Sequence, residues 1–258
     1  MSNPRAKTFD CAFDCGAARG RWSAVAFARL ALPQRCELCV APSAGSLVCG
    51  ACEASLPRID GACPVCALPS ARGEVCGACV RRPPPFVATV AAFAYAFPAD
   101  RLLQRIKYGG RIALAQWAGA ALASAVVAAL ALRDRRDRPT QIVPLPLVAS
   151  RQRERGFNQA REIAMHIARE IRSPLASPLV RTGAGPPQAS LPWAERHRNV
   201  RGAFAAAGDV RGSRLALVDD VMTTGATLAE AARVLLAAGA LSVECWVVAR
   251  TLPPAEAA

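Results

Sequence analysis

Two adjacent carboxylates stand between an apolar run and a hydroxyl-rich turn. Asp219 and Asp220 follow residues 215–218, whose uninterrupted apolar sequence predicts a strand covered on both faces. Ligands of open α/β sheets bind at the carboxyl ends of such strands. Residues 223–227 then supply hydroxyls, backbone N–H groups and a glycine before a helix, whose N-terminus favours anions. Carboxylates accept hydrogen bonds from vicinal hydroxyls, so the pattern predicts a site for a ribose 5-phosphate.

Eight of the eleven cysteines form four C-x-x-C pairs near the amino terminus. The spacing C-x2-C-x9-C-x2-C occurs twice, and such a repeat indicates two structural zinc sites built from four thiolates each. A redox role is disfavoured, because thioredoxin-like C-x-x-C motifs occur singly within a βαβ pattern. Sequential and interleaved groupings of the ligands are both compatible with the spacing. The expected zinc ligands are Cys36, Cys39, Cys49, Cys52, Cys63, Cys66, Cys76 and Cys79.

The charge balance points to an anionic partner. The chain carries 32 Lys and Arg against 19 Asp and Glu, a formal net charge of +13. Nucleic acid, a phosphorylated small molecule and a membrane surface all fit this balance, as does a solvated arginine-rich surface. No secretory signal is recognisable, so we expect reduced cysteines and a cytoplasmic protein, with peripheral association at the inner face of the membrane left open.

One apolar run is long enough to cross a bilayer, but its composition argues against a transmembrane span. Residues 112–132 carry no charge, yet they are mostly alanine and include Gln116 and Ser124. Alanine contributes little transfer free energy. We therefore expect a helix packed on a sheet.

Element patterns divide the chain into an extension, a metal-binding region and an α/β domain. We expect an extension at residues 1–34, either disordered or helical, a double zinc ribbon at 35–82, and a larger domain at 87–252 beyond the stiff prolines 83–85. Strands alternating with helices predict a mainly parallel sheet flanked by helices. The predicted strands are residues 87–96, 141–145, 215–218 and 243–249. The predicted helices are residues 100–107, 113–132, 158–171 and 227–238.

The acid pair and its turn resemble a known signature. Residues 215–227, LALVDDVMTTGAT, are similar to the phosphoribosyl-pyrophosphate (PRPP) binding motif of type I phosphoribosyltransferases. LLQRIKYGGR (102–111), VPLPLVASRQRERGFNQA (143–160) and QASLPWAERHRNVRGAF (188–204) resemble one branch, the ComF family. Members carry a double zinc ribbon before a phosphoribosyltransferase-type domain, and some are associated with competence, the uptake of DNA. The resemblance covers residues 36–250 in order.

The resemblance implies roles for individual residues. Asp219 and Asp220 would be the catalytic pair, contacting the ribose hydroxyls with Mg2+ nearby. The segment after residues 142–146 would be a pyrophosphate loop, where Arg151, Arg153 and Arg155 offer positive charge near a strand end. The implied PRPP-binding residues are Val218, Thr223, Thr224, Gly225, Ala226, Thr227, Lys107, Arg151, Arg155, Gly156, Asn158 and Gln159.

The segment 173–212 is rich in Pro, Gly and Arg and lacks periodicity. A loop or hairpin excursion of this length is commonly functional or disordered. In related enzymes such a loop folds over the site and excludes water, whereas a structural hairpin remains the alternative here. The candidate lid residues are Gln188, Arg196 and Asn199.

Two functional hypotheses follow. One is an enzyme that transfers the ribosyl group of PRPP with Mg2+, in a process of competence and DNA uptake. The other is a non-catalytic module that senses PRPP or a nucleotide, or binds single-stranded DNA or competence proteins such as a helicase of the ComF operon. Zinc ribbons and net positive charge favour DNA or protein contact, but few aromatics are interleaved with the basic residues.

Overall fold

The computed structural model describes residues 34–43, 45–182 and 201–253. The extension expected at residues 1–34 lies outside the described residues except for Gln34, which belongs to a strand. Gln188, Arg196 and Asn199, the candidate lid residues, also lie outside them.

The amino-terminal part folds as two copies of one small motif. Each copy has a short antiparallel pairing and then a helix of five residues that begins directly after a cysteine. In the second copy the pairing is a bridge between Ala62 and Pro69. The elements are β1 (Gln34–Arg35), β2 (Pro42–Ser43) and α1 (Gly50–Ala54) in the first copy and α2 (Gly77–Arg81) in the second.

The sequence repeat is also a repeat of backbone conformation. Val40 N donates to Cys36 O, and Ala67 N donates to Cys63 O, both at 2.9 Å. Val40 and Ala67 both adopt positive φ, 62° and 56°. Each first C-x-x-C pair therefore lies on the same kind of tight turn, which presents two sulfurs to one side.

The larger domain contains six strands and five α-helices among the described residues. The strands are β3 (Thr89–Ala94), β4 (Gln141–Pro144), β5 (Leu179–Arg181), β6 (Phe204–Ala206), β7 (Arg214–Met222) and β8 (Ser242–Arg250). The helices are α3 (Ala99–Tyr108), α4 (Ile112–Ala131), α5 (Ala149–Arg155), α6 (Gln159–Glu170) and α7 (Ala226–Ala237).

A four-stranded parallel sheet in the order β3-β8-β7-β4 organises this domain. Side chains alternate across it, as the twofold repeat of a strand requires. Ala216 and Val218 of β7 face the core formed with α4 and α6. Leu215 and Leu217 face the opposite core, formed with α7. The predicted parallel sheet flanked by helices is confirmed.

Strand β7 extends four residues beyond the predicted end at Val218. The extra residues pair only with β8, from Asp219 opposite Val247 to Met222 opposite Arg250. On its other side β7 loses its neighbour, because β4 ends where Pro144 lies opposite Val218. The carboxylates predicted to follow the strand therefore lie within it, where one edge is unpaired.

Helix α4 is the one helix of the described residues that is long and apolar enough to cross a membrane. It packs instead against α6, β3 and β8, and Leu114, Leu122 and Val126 are completely buried. The predicted helix packed on a sheet is thus what the structure contains.

Three elements of the larger domain, α5, β5 and β6, were absent from the predicted set. Residues 149–155, expected within a loop, form α5, because they hold good helix formers without Gly or Pro until Gly156 ends the helix at φ 74°. The segment 173–212 contains the antiparallel pair β5–β6, with Arg181 opposite Phe204. The described ends of that segment thus pair antiparallel, while residues 183–200 between them lie outside the described residues.

We predict that Gly119→Ala destabilises the α4–α6 packing. A Cβ at Gly119 would lie 2.7 Å from His166 Cβ and 3.2 Å from Ile163 O. Helix propensity alone favours Ala by about 1 kcal/mol, whereas overpacking costs about 1–3 kcal/mol. Denaturant unfolding should therefore show a lower free energy of unfolding. The exposed Ser124→Ala on the same helix should change it by less than about 0.5 kcal/mol, and a stabilised Gly119→Ala would contradict the packing described.

Candidate functional site

The eight cysteines of the C-x-x-C pairs form two separate tetrads. The sulfurs within each tetrad lie within 4.8 Å of one another. Cys39 and Cys49 sulfurs are 3.7 Å apart, as are those of Cys66 and Cys76. A tetrahedral zinc ion bound at about 2.3 Å sets its sulfurs about 3.8 Å apart, so both tetrads fit a structural zinc ion. The grouping is sequential: Cys36, Cys39, Cys49 and Cys52, then Cys63, Cys66, Cys76 and Cys79.

Each tetrad contains one thiol that ionises readily. Burial raises the pKa of Cys36, but surrounding backbone N–H groups, including those of Leu38 and Cys49 at 3.4 Å, outweigh it and lower the pKa to about 6. The pKa of Cys63 is lowered to about 7 for the same reasons, with Cys76 N donating at 3.3 Å. Because zinc binds the thiolate, a lowered pKa allows these two sulfurs to bind the metal near neutral pH.

The two tetrads are fixed to the sheet domain by different contacts. Near the first, Glu37 forms ion pairs with Arg105 and Arg111, at 3.0 and 2.8 Å. Near the second, Thr89 Oγ1 donates to Val65 O at 2.6 Å, and Thr89 N donates to Pro64 O at 3.0 Å. The ribbons are thus docked on the sheet domain.

A cavity of about 420 Å³ opens at the carboxyl edge of the sheet, beyond the end of β4. Its charged lining consists of two carboxylates and four basic side chains. A cleft with this excess of positive charge suits an anionic ligand. The charged residues are Asp219, Asp220, Lys107, Arg151, Arg155 and Arg181.

The two carboxylates have different surroundings because adjacent strand residues face opposite sides. Asp220 is buried and forms an ion pair with Lys107 Nζ at 3.1 Å. Gln159 Nε2 lies 3.4 Å from the same carboxylate, and the buried Gln159 Oε1 has no partner among the described residues. Asp219 Oδ1 accepts from Asp220 N at 2.8 Å. Lys107 is therefore part of the acid pair's surroundings and not a solvated lysine at a helix end.

The surroundings of Asp219 in the cleft change its pKa. Burial, together with the neighbouring charge of Asp220, raises its pKa to about 7, although Lys107 opposes the shift. The same two carboxylates raise the pKa of Lys107 against the effect of its own burial. An arriving hydroxyl donor or cation would favour the ionised form of Asp219.

The turn after β7 needs a glycine for its conformation. Gly225 has φ +80°, and a Cβ there would lie 2.6 Å from Met222 Cε. Thr224 Oγ1 accepts from Ala226 N at 3.2 Å, which closes the turn at the start of α7. Thr223, Gly225 and Thr227 line the cleft. The turn and the helix N-terminus together offer donors to an anion.

Three arginines approach the cleft from two elements. Arg151 and Arg155 are four residues apart on α5 and share a helix face, which leaves Arg153 exposed on another. Arg181 at the end of β5 lies over the Phe204 ring at 5.2 Å, and its buried Nε has no partner among the described residues. Sequence patterns gave no sign of Arg181, because it lies in a segment without periodicity.

The remaining predicted binding residues have structural positions away from the cleft lining. Val218 is fully buried, and its carbonyl accepts from Leu145 N at 2.9 Å. Asn158 caps α6 and donates to Leu145 O at 3.1 Å. Thr224 and Ala226 line the opposite side of the turn, and Gly156 ends α5. Tyr95, Gln104 and Tyr108 also line the cleft. Gln104 and Tyr108 belong to the family-like segment 102–111, whereas Tyr95 lies in none of the motifs.

Comparisons with known proteins agree with this architecture. The double zinc ribbon domain matches residues 27–80, and the phosphoribosyl transferase domain matches residues 119–256. DNA utilization protein YhgH of Salmonella typhimurium is 34% identical over 230 residues, 86% of this chain and all of that protein. Competence protein F of Haemophilus influenzae is 33% identical over 165 residues, 60% of this chain and 69% of that protein. The chain belongs to the ComF family.

Among solved structures, glutamine PRPP amidotransferase from B. subtilis, complexed with ADP and GMP, is 21% identical to this ComF-family chain. The match covers 52% of this chain and 25% of that chain, with a TM-score of 0.34.

We predict that Asp219→Asn stabilises this ComF-family protein increasingly as the pH rises. Because the folded pKa of Asp219 lies near 7 and its unfolded pKa near about 3.9, the carboxyl favours folding at low pH. That contribution is lost as the pH rises through about 7. Asparagine is neutral throughout. Between pH 6 and 8.5 the stability difference from wild type should widen by about 1–2 kcal/mol.

The measurement is denaturant unfolding of both proteins across that pH range, with zinc loaded. Asp209→Asn is the matched control, because Asp209 is 76% exposed beside Arg211. A stability difference for Asp219→Asn that stays constant from pH 6 to 8.5 would contradict a raised pKa.

Proposed function

We propose that this ComF-family protein binds PRPP with Mg2+ at the carboxyl edge of its parallel sheet. The observation that carries the proposal is the unpaired edge of β7, where Asp219 and Asp220 lie next to a glycine-containing turn in one positively charged cleft. A single strand–turn–helix unit would thus bind both ends of the sugar phosphate, with the acid pair on the hydroxyls and the turn on the phosphate.

Each part of PRPP would contact a different part of the cleft. The 5-phosphate would lie against the turn of residues 223–227 at the start of α7. The ribose hydroxyls would donate to Asp219 and Asp220. The diphosphate would reach Arg151 and Arg155, whose guanidinium groups suit bidentate phosphate contacts.

The carboxylate oxygens of the acid pair are hard donors, which suits Mg2+. Asp219 would be the residue that holds the ion, since Asp220 is already neutralised by Lys107. Magnesium, when bound with PRPP, supplies positive charge that neutralises the diphosphate. The chain's own contribution is to position the sugar and to exclude water from the buried side of the cleft.

The reaction that this arrangement would support is transfer of the ribosyl group. An acceptor nitrogen would form a bond to the anomeric carbon while the bond from that carbon to the diphosphate oxygen breaks, with its electron pair leaving on the diphosphate. The acceptor's proton would leave with the departing diphosphate, whose oxygens are basic. Arg151 and Arg155 would stabilise the charge that accumulates there.

The names of two relatives support a role in the use of DNA. Salmonella typhimurium YhgH is called a DNA utilization protein and its Haemophilus influenzae relative a competence protein. We infer that PRPP binding by this protein serves the handling of imported DNA. The zinc-binding thiolates favour a reducing compartment, and hence the cytoplasm.

We predict that calorimetric titration with PRPP and Mg2+ shows one site per chain. Asp219→Asn/Asp220→Asn should weaken binding at least about tenfold, because hydrogen bonds to charged groups contribute about 1.5–3 kcal/mol each. Asp209→Asn, which removes an exposed carboxylate elsewhere, should bind as wild type does.

Pyrophosphate release separates turnover from sensing. Release in the presence of a nucleobase or amine, lost in the double variant, would support the enzyme. PRPP binding without pyrophosphate release, tested with a panel of nucleobases and amines, would favour a non-catalytic sensor. Wild-type protein, folded and zinc-loaded, that fails to bind PRPP with Mg2+ would refute the proposal.

A second candidate function, binding of single-stranded DNA, is favoured by one surface. Phe97 and Tyr108 are each 75% exposed. Together with Arg101 and Arg105 they line a cavity of about 700 Å³ beside the first cysteine tetrad. Exposed aromatic rings interleaved with arginines suit stacked bases and phosphates. We call Phe97, Arg101, Arg105 and Tyr108 the aromatic–arginine surface.

We predict that Phe97→Ala/Tyr108→Ala weakens binding of a fluorescent oligothymidine at least about tenfold, because each stacked base contributes about 1–3 kcal/mol. Leu132→Ala, which removes another exposed apolar side chain (90% exposed), is the control and should have no effect. Equal binding by all three proteins, with only a salt dependence, would indicate non-specific charge attraction and contradict stacking.

A further inference from the structure

Arg250 is the one basic residue among the described residues that is buried, with 3% of its surface exposed. Each buried carboxylate of the described residues, in contrast, has a basic partner. Asp220 pairs with Lys107, Glu230 with Arg233 and Glu244 with Arg133. Arg250 forms no ion pair with any carboxylate of the described residues. Burying a guanidinium without an anionic partner costs free energy, so we looked for the negative charge that compensates Arg250.

The guanidinium of Arg250 joins the second zinc ribbon to the turn that follows β7. Arg250 Nε donates to Cys66 O at 2.8 Å. Arg250 Nη1 donates to Met222 O at 2.9 Å and to Thr223 O. A third contact of Nη1 is with Thr251 O at 2.9 Å. One buried side chain therefore links a residue of the second tetrad to the end of β7 and to the first residue of the turn.

The second tetrad would supply the missing negative charge when it holds zinc, because zinc with four thiolates carries a net charge of about −2. Burial lowers the pKa of Arg250, and the negative charge of Cys66, Cys79 and Cys76 opposes that shift. The first tetrad has a different connection to the sheet domain, through Glu37 and two arginines with half or more of their side chains exposed. The arrangement around Arg250 thus belongs to the second tetrad.

We propose that Arg250 is a positioning residue that couples the metal-loaded second tetrad to the anion-binding turn. The zinc–thiolate group holds the guanidinium by its charge, and the guanidinium holds Met222 and Thr223 by their carbonyls. Loss of zinc from this tetrad leaves Arg250 without a counter-charge and loosens the turn. The part of this inference that concerns the anion rests on the proposed function, whereas the part that concerns zinc retention does not.

Zinc release to a colorimetric chelator tests the zinc part. Wild type should release two equivalents of zinc per chain, one from each tetrad. Cys52→Ser removes a ligand of the first tetrad and Cys79→Ser a ligand of the second, so the two variants show which kinetic phase of release belongs to which tetrad. Arg250→Gln should accelerate zinc release from the second tetrad at least about tenfold, as expected when a partner outside the ligand shell is lost, and leave release from the first tetrad unchanged. Arg250→Lys, which keeps the charge, should retain zinc better than Arg250→Gln. Arg133→Gln, which breaks the ion pair with Glu244, controls for general destabilisation.

Ribose 5-phosphate tests the link between the second tetrad and the turn in two ways, through its effect on zinc release and through its own affinity. Coupling between two sites is reciprocal in binding free energy, and changes in affinity appear mainly in dissociation rates. Saturating ribose 5-phosphate should therefore slow zinc release from the second tetrad of wild type and leave the first unchanged. This measurement requires no substitution, so it stands even if Arg250→Gln does not fold. Arg250→Lys should weaken ribose 5-phosphate binding, since one ammonium does not reproduce the guanidinium's contacts.

The outcomes separate this inference from the proposed function. The coupling would be overturned if Arg250→Gln accelerated zinc release from both tetrads equally or from neither. It would also be overturned if ribose 5-phosphate slowed zinc release from both tetrads. Wild type that binds no ribose 5-phosphate or PRPP would refute the proposed function. In that case selective loss of the second zinc in Arg250→Gln would still support the role of Arg250 at the tetrad.

Discussion

The register of β7 against its two neighbours is the constraint on which the site depends. β4 ends opposite Val218, whereas β8 accompanies β7 to Met222. The strand is therefore held rigidly by one neighbour while its other edge is open. Asp219 and Asp220 occupy this half-paired stretch and combine the fixed geometry of a strand with access to a cavity. A functional group on such an element is positioned more precisely than one on a loop.

Burial and charge around this edge are balanced by partners from other elements. Lys107 from α3 neutralises Asp220, so that one carboxylate is fixed while Asp219 remains responsive to a ligand. The ribbons complete the arrangement from outside the sheet. They have few large apolar residues, and their tetrads fit zinc ions that would substitute for a core. Arg250 of β8 links the second ribbon to the turn after β7, because it donates hydrogen bonds to both.

Local patterns predicted what depends on local sequence. The acid pair, the glycine of the turn and the two cysteine repeats were all readable, since each needs particular residue types at fixed spacing. The ion pair of Lys107 and Asp220 was not, because it joins residues more than a hundred positions apart. Arg181 was missed because its place in the cleft depends on a hairpin partner, Phe204. Helix α5 was missed because arginines near a strand end suggested a loop, although Gly156 marked its end.

The most direct test of the account is a crystal structure of the zinc-loaded protein soaked with PRPP and Mg2+. We expect the 5-phosphate to lie on the turn of residues 223–227 and the ribose hydroxyls to contact Asp219 and Asp220. Phosphate density on the opposite side of the turn, among Arg81, Arg82 and Arg233, with the acid pair free of sugar, would contradict it.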